Sequence, residues 1–154
     1  LARRSTAVRE YVVKMLAAAG AGHPGGSLSI VEILQVLYGE FMHVRPQEPH
    51  WPGRDRLILS KGHAAPALYA TLMMHGFFPE EELWNLRKCG SMLQGVPDMN
   101  RTPGIDMSTG VAGDRACLPA TAWHWEPVSI MPAGAPTSSA AMGKSKKASS
   151  GKRL

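Results

Sequence analysis

The sequence is poor in cysteine: Cys89 and Cys117 are the only two, with no CxxC and no zinc-ligand spacing. That excludes a disulfide scaffold and a structural zinc module, and fits a reduced, cytoplasmic chain. No apolar run approaches the length of a membrane span. The amino end carries no basic-then-apolar signal segment, and its start at Leu1, inside a helical pattern, suggests a fragment. Residues 111–154 contain no Phe or Tyr and show no sustained 3.6 or 2.0 period. Rich in Ala, Ser, Pro and Gly, they read on their own as an irregular or disordered tail.

What is present is a core-forming amino-terminal part. Of 154 residues, 44% are apolar, enough for one domain. The net charge of +5 is unevenly spread: residues 1–110 hold 11 Lys+Arg against 10 Asp+Glu, and residues 111–154 hold 6 against 2. The basicity therefore belongs to the tail. Lys144, Lys146, Lys147, Lys152 and Arg153 could meet nucleic-acid phosphates or acidic partners, but no aromatics are interleaved with them and no binding fold is recognisable. A nucleic-acid partner is not expected.

Val8, Tyr11, Val12, Met15, Leu16 and Ala19 recur at i, i+3, i+4, which predicts an amphipathic helix over 3–19, stopped by Gly20 and Gly22. Ser29-Ile30-Val31-Glu32 has capping-box spacing, with Ser27 as a competing cap. A second, mostly buried helix through Ile33, Leu34, Val36, Leu37, Phe41 and Met42 should follow. Three prolines and a glycine make 45–54 a connection. Asp55–Ser60 reads as a short strand, 64–75 as a third helix with Pro66 in its first turn, and 80–88 as a fourth. In the last of these, Glu80, Glu81 and Glu82 suit the helix dipole. Helices joined through a buried strand indicate α/β architecture.

Two histidines follow glycines where the chain should turn tightly: Gly22-His23-Pro24-Gly25-Gly26, and Ser60-Lys61-Gly62-His63. Glycine permits close approach and proline fixes the turn, so each imidazole sits at an element end. Such a pair suits a shared site for a polar, phosphorylated ligand. Lys61 either contacts phosphate or is solvated. His43, His50 and His75 have no such setting and read as surface or packing residues, and Met73-Met74 as core filling.

Gly22–Ser27, Asp55–Tyr69 and Pro103-Gly104-Ile105-Asp106-Met107-Ser108-Thr109-Gly110, in this order, resemble the amino-terminal half of transketolase, most closely the separate amino-terminal subunit of two-chain forms. The likeness covers residues 1–110. It implies a three-layer thiamine-diphosphate-binding fold with a largely parallel sheet, incomplete here. It also implies transfer of a two-carbon ketol unit between sugar phosphates with thiamine diphosphate and a divalent cation, Mg²⁺. The implied partners are a carboxy-terminal subunit, which supplies the glutamate that activates the aminopyrimidine, and a homo-oligomer. By the resemblance His23 faces substrate as a catalytic residue, His63 lies by the cofactor diphosphate, and the stretch from Gly110 passes close to the cofactor. Imidazole can donate to phosphate or exchange a proton with a hydroxyl near neutral pH, which suits these roles. At Gln94-Gly95-Val96-Pro97-Asp98 the family typically has a substrate-contacting histidine where this chain has Val96. Valine can neither donate nor carry a proton.

Transketolases continue into Gly-Gln-Gly-Leu and later Gly-Asp-Gly-Glu, part of the metal site. Neither occurs in these 154 residues, so no metal ligand is assigned. Taking the last base of each codon with the first two of the next, Asp114–Leu118 can be written to give Gly-Gln-Gly-Leu. Ala140–Leu154 can be written to give Gly-Asp-Gly-Glu-Val-Gln-Glu-Gly-Gln-Leu-Trp-Glu-Ala-Ala. Residues 111–154 thus read as out-of-frame translation. The expected product exposes apolar faces on its first two helices, which missing sheet would cover, and is aggregation-prone and inactive. The alternatives are the product of a damaged gene with no function, or a module binding acidic partners through the tail.

Overall fold

The computed structural model describes residues 1–109 and the strand 129–131. Helix α1 (Ala2–Ala19) forms where the apolar stripe predicted it, and Val8, Val12 and Met15 are fully buried along it. Gly20 ends it in the left-handed conformation, φ 63°, and donates its N–H to the Ala17 carbonyl at 3.3 Å. The stripe seals chiefly against α4 (Ala65–Met74). Ala65 through Leu72 are buried on every side of α4, so this short helix is the hub on which α1, α2 (Pro24–Leu28) and α3 (Val31–Val36) pack. The expected exposed apolar faces on the first two helices are therefore found in part, since the α1 stripe is buried. Among the described residues α4 is the main cover of the α1 stripe. Val13, Ile33 and Phe41 do remain exposed.

The second predicted helix is broken into three pieces. Pro24 starts α2, α3 follows, and a π-helical turn over Leu37–Phe41 closes with the Met42 N–H on the Leu37 carbonyl at 2.8 Å. The wider turn buries Tyr38 and leaves Phe41 outside. The capping box does not form either. Ile30 occupies the cap position of α3, while the Ser29 hydroxyl donates to the Gly26 carbonyl at 3.0 Å and accepts from Lys61.

The connection 45–54 is as expected, tied at its ends by Asp55, whose carboxylate accepts the His43 N–H at 2.8 Å. β1 is shorter than predicted, Arg56–Ile58. Its partner β2 (Ser129–Met131) runs antiparallel, with Leu57 opposite Ile130. The one pairing among the described residues is thus antiparallel where a largely parallel sheet was expected, and a strand lies in a stretch read as irregular. The remainder of 111–154 lies outside the described residues. The other edge of β1 is closed by a side chain. Asp106 accepts the Leu57 N–H at 3.0 Å and the guanidinium of Arg54, both side chains nearly buried. The predicted fourth helix is a 3-10 turn, Glu80–Asn85, because Leu86 is extended and Arg87 takes φ 65°.

Candidate functional site

β1 delivers the chain into Ser60-Lys61 and a 3-10 turn, Gly62–Ala64, continuous with α4. That turn packs on α2, whose cap residue is His23. The two glycine-anchored histidines meet there: their ring centroids are 5.5 Å apart, edge to face at 65°. His23 is exposed and His63 half-buried. Gly26 makes the approach possible, since a Cβ there would lie 2.8 Å from His63 Cδ2 and 3.2 Å from Nε2. Gly22 is held at φ +141° against Leu16, where a Cβ would overlap Leu16 Cδ2 at 2.2 Å. Of the three glycines of the first motif, Gly22 is favoured by its backbone as well as by contact, Gly26 by contact, and Gly25 meets nothing within 4 Å.

The histidines open on a cavity of about 350 Å³ that is also lined by Leu16, Pro66, Leu86, Arg87, Gln94 and Val96. Val96 occupies the wall with an apolar side chain. Lys61 donates to the Ser29 hydroxyl at 3.1 Å, so its ammonium is tethered beside the histidine turn. Beside Gly26, the Ser27 hydroxyl is buried with no hydrogen-bond partner among the described residues, and so is that of Thr109, in the third motif. Two imidazoles on the cavity wall, with the Lys61 ammonium tethered nearby, fit an oxygen-rich ligand such as a diphosphate. For a metal ion the fit fails: no group of three or more His, Cys, Asp or Glu among the described residues could hold one.

Gly110 lies outside the described residues. His43 and His50 are exposed, and His75 is half-buried against Tyr38 at 5.6 Å. Burial, with the charge of Arg4 adding to it, holds the His75 imidazole below its ordinary range. A second hollow, beside α1 and α3, has its charged side chains already paired, Arg9 donating to Glu32 at 2.6 Å. Sequence reasoning missed Arg87 and Tyr69. Arg87 reaches the cavity through a left-handed backbone that no arginine advertises, and Tyr69 acts across 25 residues of sequence, through its hydroxyl on the Gln94 carbonyl. No helix of the described residues is long and apolar enough to cross a membrane.

Residues 2–122 match the family described as transketolase, thiamine diphosphate binding domain. The chain is 49% identical over 113 residues to the 6-deoxy-6-sulfo-D-fructose transketolase subunit of Clostridium sp. (strain MSTE9), covering 73% of this chain and 41% of that subunit. It is 38% identical over 110 residues to transketolase 2 of Escherichia coli (strain K12), covering 71% of this chain and 16% of that protein. Among solved structures, the transketolase from Leishmania mexicana matches with a TM-score of 0.68 and 31% identity, over 71% of this chain and 16% of that one. The transketolase of Pichia stipitis in complex with sedoheptulose-7-phosphate matches with a TM-score of 0.61 and 30% identity, over 71% and 16% respectively. The chain therefore spans less than half the length of these relatives. Its α/β fold, its paired glycine-anchored histidines and these matches place it in the transketolase family, as part of the thiamine-diphosphate-binding domain.

Proposed function

We propose that residues 1–110 form one wall of the active site of a thiamine-diphosphate-dependent, two-chain transketolase that moves a two-carbon ketol unit between sugar phosphates. The observation that carries this reading is the convergence of His23 and His63 on one cavity, with Gly26 as the close-packing glycine. Bound thiamine diphosphate supplies the nucleophilic thiazolium carbon and an electron sink for the ketol unit. His63, set on a rigid turn at the head of α4, donates an N–H to a diphosphate oxygen. His23, at the exposed cap of α2, exchanges a proton with a substrate hydroxyl, a step worth roughly 10²–10⁴-fold in rate when the geometry is right. The stretch beginning at Gly110 passes close to the cofactor. Val96 contributes no proton and weakens the hold on the sugar.

The sugar-phosphate class is supported by the ligand named in the Pichia stipitis structure. A carboxy-terminal partner subunit is supported by the Clostridium relative, itself a transketolase subunit. The same reading gives a homo-oligomeric, cytoplasmic enzyme working in sugar-phosphate interconversion, with a largely parallel sheet completed beyond residue 110. These 154 residues contain no Gly-Asp-Gly, the motif that holds the divalent cation in the family. Residues 111–154 are the metal-site region translated out of frame, and this polypeptide alone is inactive.

The test pairs the chain, once as it stands and once with residues 111–154 replaced by the shifted-frame continuation, with a carboxy-terminal transketolase subunit. Ketol transfer between sugar phosphates is expected only with the replaced form, and only while His23 is present. Equal activity from both forms, or none from either, contradicts the proposal. The coding DNA around Gly110 tests the frame directly: codons that cannot yield both motifs sink that part.

A further inference from the structure

The cavity wall formed by Gln94, Gly95 and Val96 belongs to no helix or strand. Its flanks are braced: the Arg87 N–H donates to the Leu93 carbonyl at 2.8 Å, the Thr102 hydroxyl to the Met92 carbonyl at 2.6 Å, and the Thr109 N–H to the Pro97 carbonyl at 3.2 Å. At 94–96 themselves, one group reaches the backbone among the described residues. The Tyr69 hydroxyl lies 3.0 Å from the carbonyl oxygen of Gln94 and 3.0 Å from that of Val96. A phenol carries one proton, so the two acceptors share it in a three-centre bond. Two carbonyl dipoles converging on one point repel each other unless a proton sits between them.

We propose that Tyr69 is a positioning residue of this site: its hydroxyl holds the Gln94 and Val96 carbonyls together and so sets the turn that brings Gly95 and Val96 into the cavity shared with His23 and His63. Tyr69 is fully buried on α4, six residues beyond His63, so a single rigid element carries both the imidazole and the group that places the opposite segment. Burial also keeps the phenol well above its ordinary range, so the proton remains in place as long as the fold does. The brace acts on backbone and is indifferent to the side chain at 96. The scaffold that would present a histidine there is consequently intact. The inference rests on the functional reading only for what the cavity binds; the positioning itself is tested without any ligand.

Tyr69→Phe in the full chain keeps the ring and removes the proton. The expected result, in ¹H–¹⁵N spectra, is displacement or exchange broadening of the Gly95 and Val96 amide resonances, with those of α1 and α3 unmoved. Unmoved Gly95 and Val96 resonances would overturn the proposal. So would shifts spread evenly over α1 and α3 with a lower melting temperature, because the hydroxyl would then be only a core stabiliser. A measurement on the parent chain guards against a variant that loses its fold. There the Tyr69 hydroxyl proton should appear as a slowly exchanging resonance with a cross-peak to the Gly95 amide, and its absence overturns the proposal equally. None of these outcomes depends on thiamine diphosphate binding, so failure here is distinct from failure of the enzymatic reading.

Discussion

Replacing Asp106 with Asn probes how the motif that begins at Pro103 is tied to the strand that leads to His63. Asp106 is 5% exposed at its side chain and Arg54 is 9% exposed, so their pair lies within the protein. The carboxylate accepts two donors, the Arg54 guanidinium and the Leu57 N–H. An asparagine keeps the shape but offers one acceptor oxygen and turns an NH₂ towards the other donor. Leaving a buried charge without its partner costs about 3–5 kcal/mol. The surviving hydrogen bond offsets about 1 kcal/mol of this, for a net loss of roughly 2–4 kcal/mol. In a domain of this size that lowers the melting temperature by on the order of 10–20 °C.

Thermal and urea unfolding followed by circular dichroism would read it, with an unchanged urea slope showing that the unfolded state is the same. The double variant Arg54→Met, Asp106→Leu buries no lone charge and should be more stable than the single variant by about 1 kcal/mol. What stays lost is the roughly 1–3 kcal/mol of an orphaned Leu57 N–H. A single variant within about 0.5 kcal/mol of the parent, the range of ordinary surface changes, would refute the buried clamp. A double variant no better than the single one would refute the charge argument.

Gly26→Ala should leave the melting temperature within a few degrees of the parent, because alanine favours the helix by about 1 kcal/mol while its Cβ pushes on His63. The His63 imidazole resonances must nevertheless move, and unmoved ones would show that the close contact is not real. His75 is held below its ordinary value of 6.5, so the unfolded chain binds its proton more readily. Its contribution to stability is complete above that value and falls away as pH drops through the range below it. His75→Gln should flatten this part of the stability–pH curve, and an unaltered curve would remove His75 from the account. In the enzyme with its continuation restored, Val96→His should raise ketol-transfer turnover by roughly tenfold or more, at the lower edge of general acid–base effects or just below it. Unchanged turnover would show that the valine costs nothing.

Much of the scaffold was legible because it obeys simple periods. α1 follows its 3.6-residue stripe, and the glycine after it ends it as glycines do. The second helix misled because Phe41 and Ile33 continue the apolar pattern while the backbone widens at Leu37–Phe41 and turns Phe41 outward. The site divides in the same way. His23 and His63 announced themselves through glycine and proline, residues whose backbone limits are local. Tyr69, Arg54 and Asp106 act across 25 to 52 residues of sequence through single hydrogen bonds, and no local pattern encodes such a distance. The α1 stripe is covered among the described residues because α4 is buried all round and packs against it, while Val13, Ile33 and Phe41 stay exposed as expected of the first two helices. Gly110 lies outside the described residues, so its role stands as proposed.

The central claim is that His63 belongs to a thiamine diphosphate site. It is tested most directly by calorimetric titration of thiamine diphosphate, with Mg²⁺ present, into the chain carrying the shifted-frame continuation and into its His63→Ala variant, each paired with the carboxy-terminal subunit. The account predicts saturable binding that weakens by about tenfold or more when the imidazole is removed, a loss of at least about 1.4 kcal/mol. Binding of equal strength in both, or none in the chain that retains His63, would contradict it.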